Sequence, residues 1–465
     1  MSTDAHGRTA QARLALLFAL PMLAGCNKYE LFALAGYEQA SFQNDADVIF
    51  VIDNSPSMEE EASALGLNFQ LFIQALADPT AGGVVTETLS DAVDNYVSYT
   101  TVRGSVLDYQ LGITTTTVDS SRGTATEMDP GEAGTLIGPV ISRGTAEVVP
   151  DFLGQLLCET TNWNQTNLPD EDDAFKCGQE AIPAFISEEY LDCLCGEGAW
   201  ETNQGGGTEQ PLEAALLAMC RAVENPPDVC FHSYASSDAT DSEGRNIGTF
   251  EDNHIGMNAG LIREGATTVI AIVTDEGDNS SQYLSNGDDD PSPYLDAFAQ
   301  FDQKVRLAAI GPRLDTEGLQ ATACASGSTE RDTVPYWSVK RLHTAALSTG
   351  GFYADITQGG DTDCTVSDFS VHLDNLGSLL VNLVNAFELR SVPDPSTIRV
   401  FVDSEEVAEA VRVDDGEGDA LYDNGWTYEP AQNAVVFWGT AVPDYNADVQ
   451  IYYRPLDGQP RVLPF

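Results

Sequence analysis

Short runs of consecutive apolar residues alternate along this chain with segments whose apolar residues recur at helical spacing. The run Val48–Ile52 is continuous and mostly β-branched, which is typical of a strand buried on both faces of a parallel sheet. Further strand-like runs occur at 107–118, 268–273, 305–310 and 352–356. Helical spacing predicts helices over 58–76, 209–219, 294–303, 335–347 and 366–389. This alternation predicts an α/β fold with a doubly wound, mostly parallel sheet.

Two stretches interrupt the alternation, at about 120–205 and 221–262. Both are rich in Gly, Asn, Asp and Cys, and we interpret them as disulfide-rich insertions. Prolines in 391–396 predict a hinge, and alternating apolar and polar residues beyond it predict half-buried strands. The expected organisation is a large α/β domain over 45–390 and a small β-rich module over 391–465.

The N-terminus has the layout of an export signal. Arg8 and Arg13 precede the apolar stretch Leu14–Leu23, which is too short to span a bilayer as a helix. The stretch ends in Leu-Ala-Gly-Cys at Cys26, which resembles the lipobox of bacterial lipoproteins. The resemblance implies that residues 1–25 are removed and that Cys26 is lipid-modified. The alternative is an ordinary cleaved signal that leaves a free cysteine.

A lipid-modified cysteine would place the protein in the cell envelope. A tether over 26–44 would then connect the lipid anchor to the first domain. Asn27 follows the cysteine, and the absence of Asp at that position favours the outer membrane. No later apolar run reaches the ~18 residues that a membrane-spanning helix needs. We therefore expect an anchored protein that does not span the membrane, and the face of the membrane it occupies stays open.

The cysteine count agrees with export. Nine cysteines are present, and an even number remains once Cys26 is set aside. In an exported chain these predict up to four disulfides, with the pairing left open. Cys193 and Cys195 are also spaced as a metal or redox pair, but no Cys or His partner lies at zinc spacing. The disulfide candidates are Cys158, Cys177, Cys193, Cys195, Cys220, Cys230, Cys324 and Cys364.

The charge balance excludes some partners and favours others. The chain has 73 Asp and Glu against 21 Lys and Arg, for a formal net charge of −52. Nucleic acid would be repelled by such a field, so we expect no nucleic-acid partner. Divalent cations, which prefer oxygen ligands, are favoured. The alternative is that the acidity only solvates the surface.

One polar cluster follows directly on the first buried strand. Asp53, Ser55 and Ser57 occupy alternate positions between that strand and the predicted helix at 58–76. The carboxyl edge of a parallel sheet is where such folds place ligands. One carboxylate and two hydroxyls at alternate positions can all point at one cation.

In this context the pattern Asp-x-Ser-x-Ser resembles the metal-ion-dependent adhesion site of von Willebrand factor type A domains. The resemblance covers roughly residues 45–390 and implies two further ligands, Thr208 before a helix and Asp275 after a later strand. Thr202 is an alternative to Thr208. The implied cofactor is a divalent cation, Mg²⁺ first and Mn²⁺ or Ca²⁺ as alternatives. The implied partner is a protein that offers an Asp or Glu to the metal, or a glycan.

Other acidic residues admit several interpretations. Glu276 and Asp278 follow Asp275 and are candidates to ligate the cation, to bind a second ion or merely to add charge, which is the default. The acidic runs at 171–173, 288–290 and 414–419 lack the spacing of a dedicated calcium loop. We expect those runs to be solvated loops.

Nothing in the sequence points to catalysis. No nucleophile elbow, phosphate loop or zinc-protease motif is present, so no enzymatic activity is expected. The leading hypothesis is a lipid-anchored envelope protein that binds a protein or glycan partner through a divalent metal. The alternative is a structural envelope component with a stabilising metal and no exchangeable ligand. A hydrolase housed in the insertions is a distant third.

Overall fold

The computed structural model describes two compact units of the chain. The first comprises the described residues within Gln43–Val384, and the second comprises those within Asn385–Pro464 together with those up to Phe42. The described residues are 36–41, 45–58, 64–70, 72–73, 108–118, 131–158, 186–197, 209–234, 248–280, 288–301, 303–324, 331–357, 369–389, 391–414, 420–422, 424–430, 433–438, 441–443 and 447–456.

A six-stranded sheet forms the centre of the first unit. Its strand order is β10-β6-β5-β2-β3-β4, and all pairs are parallel except β3 with β4. Seven of the eight residues of β2 are buried, as the continuous β-branched run predicts. The prediction of an α/β fold with a mostly parallel sheet is confirmed. The strands are β2 Asp45–Ile52, β3 Asp108–Thr115, β4 Ile141–Ser142, β5 Thr267–Val273, β6 Lys304–Gly311 and β10 Tyr353–Asp355.

Helices connect the strands of this sheet, and most lie where helical spacing predicts them. Two helices, α2 and α3, and the strand β4 fall within 120–205, which the sequence analysis reads only as an insertion. The last predicted helix ends at Asn385 rather than 389, because Ala386–Glu388 form a strand instead. The helices are α1 at 64–70 and 72–73, α2 Val148–Leu153, α3 Glu188–Cys195, α4 Pro211–Ala222, α5 Ser292–Phe298, α6 Tyr336–Ser348 and α7 Ser370–Asn385.

Helix α4 is buried on every side, whereas its sequence predicts a single apolar face. Pro211 lies in its first turn, where a missing N–H costs nothing. The loop at Gly134 crosses the helix so closely that a Cβ there would lie 2.3 Å from the backbone nitrogen of Ala218. Asn258 of the second predicted insertion donates hydrogen bonds to the carbonyl oxygens of Gly134 and Ala218, at 2.8 and 3.1 Å. The insertion therefore completes the burial of α4.

Disulfides connect segments of the first unit. Cys158 pairs with Cys195, and Cys220 at the end of α4 pairs with Cys230. Cys193 and Cys324 are disulfide-bonded as well. The prediction of disulfides is confirmed for these residues, so Cys193 and Cys195 form no metal or redox pair. The candidates Cys177 and Cys364 lie outside the described residues, as does Cys26.

A small antiparallel sheet in the first unit is absent from the sequence prediction. It consists of β7 Arg313–Asp315, β8 Gln320–Cys324 and β9 Arg331–Val334. Its residues are mostly polar and partly exposed, so no run of apolar residues predicts these strands. Main-chain pairing, which a hydropathy pattern does not report, holds these strands together.

The second unit is rich in antiparallel β-structure. One sheet has the order β1-β18-β12-β13, and another has the order β11-β17-β16. Strand β1, Gly36–Ser41, lies within the segment 26–44 that the sequence predicts as a tether, and it pairs with the last strand. The remaining strands are β11 Ala386–Glu388, β12 Arg399–Val402, β13 Glu405–Val407, β14 Arg412–Asp414, β15 Ala420–Tyr422, β16 Gly425–Glu429, β17 Ala434–Trp438 and β18 Asp448–Tyr453.

Candidate metal centre

Asp53 begins the loop that follows β2, between its neighbours β3 and β5. Its backbone N–H donates to the carbonyl of Val273 at 2.9 Å, which continues the strand pairing by one residue. Its side chain is almost fully buried and accepts two hydrogen bonds. Oδ1 accepts from the backbone N–H of Ser55 at 2.8 Å, and Oδ2 accepts from Thr274 Oγ1 at 2.5 Å. These bonds fix the orientation of the carboxylate.

Four of the predicted metal ligands come together at this edge of the sheet. Ser55 Oγ lies 2.8 Å from Ser57 Oγ, and Ser57 Oγ donates to Asp275 Oδ1 at 3.1 Å. Asp275 follows β5, the strand next to β2, and the parallel register, which pairs Ile52 with Val273, brings the loops after the two strands together at this edge. Because these groups are carboxylate and hydroxyl oxygens, the donor set suits a hard divalent cation. The fifth predicted ligand, Thr208, and its alternative Thr202 lie outside the described residues.

Among the described residues, no three His, Cys, Asp or Glu side chains are grouped so as to hold a metal ion. The predicted ligand set contains only two such residues, Asp53 and Asp275, and its other members are hydroxyl groups. The chemistry of the set therefore matches a site with few carboxylates, as Mg²⁺ prefers.

Two further carboxylates lie at this edge: Glu209, which the adhesion-site pattern does not include, and Glu276, for which added charge is the default interpretation. Glu209 follows Thr208 and is fully buried, and its Oε2 accepts a hydrogen bond from Thr116 Oγ1 at 2.5 Å. Its Oε1 has no hydrogen-bond partner within the described parts of the chain. Glu276 follows Asp275 and is partly buried. An orphaned buried carboxylate oxygen beside the predicted ligands fits a bound cation.

Burial raises the pKa of each of these carboxylates, and neighbouring negative charge adds to the shift for Glu209 and Glu276. Burial, followed by the charge of Asp53, raises the pKa of Glu209 to about 9, with smaller contributions from Glu276 and Asp275. Burial and then Asp53 raise the pKa of Glu276 to about 7. Burial also raises the pKa of Asp53, against the hydrogen bonds that it accepts from Thr274 and Ser55. A cation in this place would relieve the repulsion.

Asp278 neither ligates the cation, binds a second ion nor merely adds charge, which are the three roles that its position after Asp275 suggests. It is fully buried, and its Oδ2 accepts from Arg341 Nη1 at 2.9 Å. Its Oδ1 accepts from Ser280 Oγ at 2.6 Å and from the backbone N–H of Leu212 at 3.2 Å. The side chain thus ties the loop after β5 to α4 and α6, and it neither adds surface charge nor is free to bind an ion.

Thr274, Thr116 and Glu209 support the site, although none of them belongs to the predicted ligand set. Each is polar and lies beside the end of a buried strand or next to a predicted ligand. The useful signal is therefore polarity at the carboxyl ends of neighbouring parallel strands, which reaches beyond the Asp-x-Ser-x-Ser motif itself.

No helix within the described part of the chain is long and apolar enough to cross a membrane.

No protein-family model matches the sequence, and no curated protein matches it significantly. Among solved structures, the chain is similar to the pilus adhesin SpaC from Lactobacillus rhamnosus GG in its open conformation. The identity is 10%, the TM-score is 0.34, and the match covers 90% of this chain and 40% of SpaC. The pilus adhesin RrgA from Streptococcus pneumoniae matches at 9% identity and a TM-score of 0.25, over 91% of this chain and 58% of that one.

The human COPII-coat protein Sec24c matches at 10% identity and a TM-score of 0.27, over 90% of this chain and 41% of that one. This chain thus spans about two fifths of the length of SpaC.

Proposed function

We propose that this chain is a cell-envelope protein that binds a protein or glycan partner through a divalent cation. The observation that carries the proposal is the meeting of Asp53, Ser55, Ser57 and Asp275, from two neighbouring strands, as a set of oxygen donors. We assign these residues, with Thr208, as the ligands of an adhesion site in a von Willebrand factor type A domain. The domain would extend over 45–390, and the β-rich module over 391–465.

The chain's own residues account for the way such a site would work. Asp53 is held by Thr274 and Ser55, so it presents a fixed carboxylate. Ser55, Ser57 and Asp275 form a hydrogen-bonded row, so the hydroxyl lone pairs and the carboxylate that would hold a cation already lie close together. When bound, a divalent cation supplies a positive centre that attracts a carboxylate or hydroxyl oxygen of a partner.

We further propose that Cys26 carries the lipid anchor and that the protein resides at the outer membrane. The support is the order of charged, apolar and Leu-Ala-Gly-Cys segments before that residue. Metabolic labelling with a radioactive fatty acid is expected to label the wild-type chain and to leave Cys26→Ser unlabelled.

Partner binding is tested on arrays of glycans and of purified surface proteins, with Mg²⁺ and with a chelator. We expect binding that the chelator abolishes, that added Mg²⁺ restores and that Asp275→Asn lacks. Asp289→Asn, at an exposed residue of the loop before α5, is the matched control and is expected to bind normally. Binding that persists in the chelator would contradict the proposal.

The structural alternative predicts a different pair of results. A metal that only stabilises the fold would raise the thermal midpoint of unfolding, while the arrays show no metal-dependent binding. The burial of Asp53 and Glu209 is the observation that favours this alternative, because a cation would compensate their charge whether or not a partner binds.

A further inference from the structure

Glu209 is a buried carboxylate that is not one of the five assigned ligands, and its burial has no compensation in that assignment. The residue is 0% exposed, and one of its carboxylate oxygens, Oε1, lacks a hydrogen-bond partner among the described residues. The other oxygen accepts from Thr116 Oγ1 at 2.5 Å. A buried carboxylate with an unsatisfied oxygen costs free energy unless a proton or a cation compensates it.

Main-chain hydrogen bonds hold Glu209 beside the end of β2. Its carbonyl accepts from the N–H of Asn279 at 2.8 Å, in the loop after β5. The N–H of the next residue, Gln210, donates to the carbonyl of Thr116 at 3.0 Å, and Thr116 donates its own N–H to Ile52 at 3.1 Å. Glu209 is therefore fixed between the ends of the two strands that flank β2.

Within the described parts of the chain, no basic side chain pairs with the Glu209 carboxylate. Among the described residues, none of the ion pairs involves Asp53, Glu209 or Glu276. The other fully buried glutamate of this region, Glu213 on α4, does have partners, because it bonds His232 Nε2 at 2.5 Å and accepts from Tyr294 at 2.7 Å. Burial of a glutamate in this region therefore does not by itself leave its carboxylate without a partner.

We propose that Glu209 supplies a further negative charge to the metal centre and helps to hold the divalent cation. This inference rests on the proposed metal-binding function and extends the adhesion-site motif by one residue. The side chain acts on the cation through a bridging water, outside the direct ligand set, while Thr116 fixes its second oxygen. Groups of this kind, outside the main ligand set, commonly change metal affinity by about 10–100-fold.

The test compares Glu209→Gln with the wild-type protein by calorimetric titration of Mg²⁺ and of Mn²⁺. We expect the affinity to fall by about 10–100-fold. In chelator, the thermal midpoint of Glu209→Gln should equal or exceed that of the wild type. The reason is that the amide brings no charge into the buried site and its oxygen still accepts from Thr116.

Glu213→Gln is the matched control, since it makes the same change in a fully buried glutamate of α4 that has partners. We expect it to bind the cation as the wild type does and to have a lower thermal midpoint, because the ion pair with His232 is lost. Glu209→Asp keeps the charge and is expected to lose less affinity than Glu209→Gln.

Unchanged affinity in Glu209→Gln would overturn the role of Glu209 and leave the five-ligand site standing. Equal losses in Glu209→Gln and Glu209→Asp would also overturn it, because shape rather than charge would then be responsible. Absence of cation binding in the wild-type protein would overturn the metal-binding function itself, and the role of Glu209 with it.

Discussion

Ser57 Oγ lies 3.1 Å from Asp275 Oδ1, although 218 residues separate the two in the chain. Ser57 follows β2 and Asp275 follows β5, and these strands are parallel neighbours. The contact therefore results from the topology of the sheet, which places the ends of neighbouring parallel strands at one edge. Because of this parallel pairing, residues that are distant in sequence form one set of oxygen donors.

The hydroxyl of Thr274 is predicted to stabilise the loop that carries the site. It donates to Asp53 Oδ2 at 2.5 Å and accepts from the N–H of Glu276 at 3.0 Å. Thr274→Val keeps the shape and leaves both groups without this partner, so we expect the free energy of unfolding to fall by about 1–3 kcal/mol. Thr274→Ser retains the hydroxyl and should lose less than half as much. Urea unfolding in chelator measures both, and equal losses in the two variants would contradict the prediction.

The buried ion pair between Arg341 and Asp278 is predicted to be costly to break. Arg341 also donates to the carbonyl oxygens of Ser280 and Asp288, at 2.8 and 2.6 Å. Arg341→Met leaves a buried carboxylate without its cation, and we expect a loss of about 3–5 kcal/mol in the free energy of unfolding. The double variant Arg341→Met with Asp278→Leu should recover part of that loss. If the single variant is as stable as the wild type in urea, the pair does not stabilise the loop.

The buried strands and the two aspartates that follow them are predictable from the sequence, whereas some contacts around them are not. Val48–Ile52 and 268–273 are recognisable because strands buried on both faces are continuously apolar. Asp53 and Asp275 follow from the positions of those strands. The pairing of Asp278 with Arg341 is not predictable in this way, because it joins a loop to a helix 63 residues later and no periodicity reports it.

The segments predicted as insertions also contain structure that the spacing of apolar residues does not predict. β4 and α2 are too short for a period of two or of 3.6 residues to stand out. The all-round burial of α4 depends on the loop at Gly134 and on Asn258, which cover the face at Ala214 and Ala218 from a distance in the chain. Tertiary contacts decide which faces of α4 are buried, and the spacing of apolar residues along the helix does not predict those contacts.

His254 is predicted to remain neutral down to an unusually low pH. Burial, with the nearby charge of Arg221, lowers its pKa to about 4, and its Nδ1 accepts the N–H of Glu251 at 3.0 Å. In the unfolded chain the pKa is about 6.5, so between pH 6.5 and 4 the unfolded state binds more protons. The contribution of His254 to stability is therefore present above pH 6.5 and is lost as the pH falls through that range.

An NMR titration checks this directly. The ring signals of His254 should shift only near pH 4, and the stability of His254→Gln should depend less on pH between 4 and 6.5 than that of the wild type. His232 is the internal contrast. Burial lowers its pKa, but the hydrogen bond and charge of Glu213 outweigh burial and raise the pKa overall. A His254 titration near pH 6.5 would show that its ring is not held neutral.

Direct cation binding tests the central claim most sharply. The measurement is a calorimetric titration of Mg²⁺ and Mn²⁺ into the metal-stripped protein, beside Asp275→Asn and the exposed control Asp289→Asn. We predict one saturable site in the wild type and in the control, and none in Asp275→Asn. Binding at full strength in Asp275→Asn, or no binding in the wild type, would contradict the assignment of the cation to Asp53, Ser55, Ser57 and Asp275.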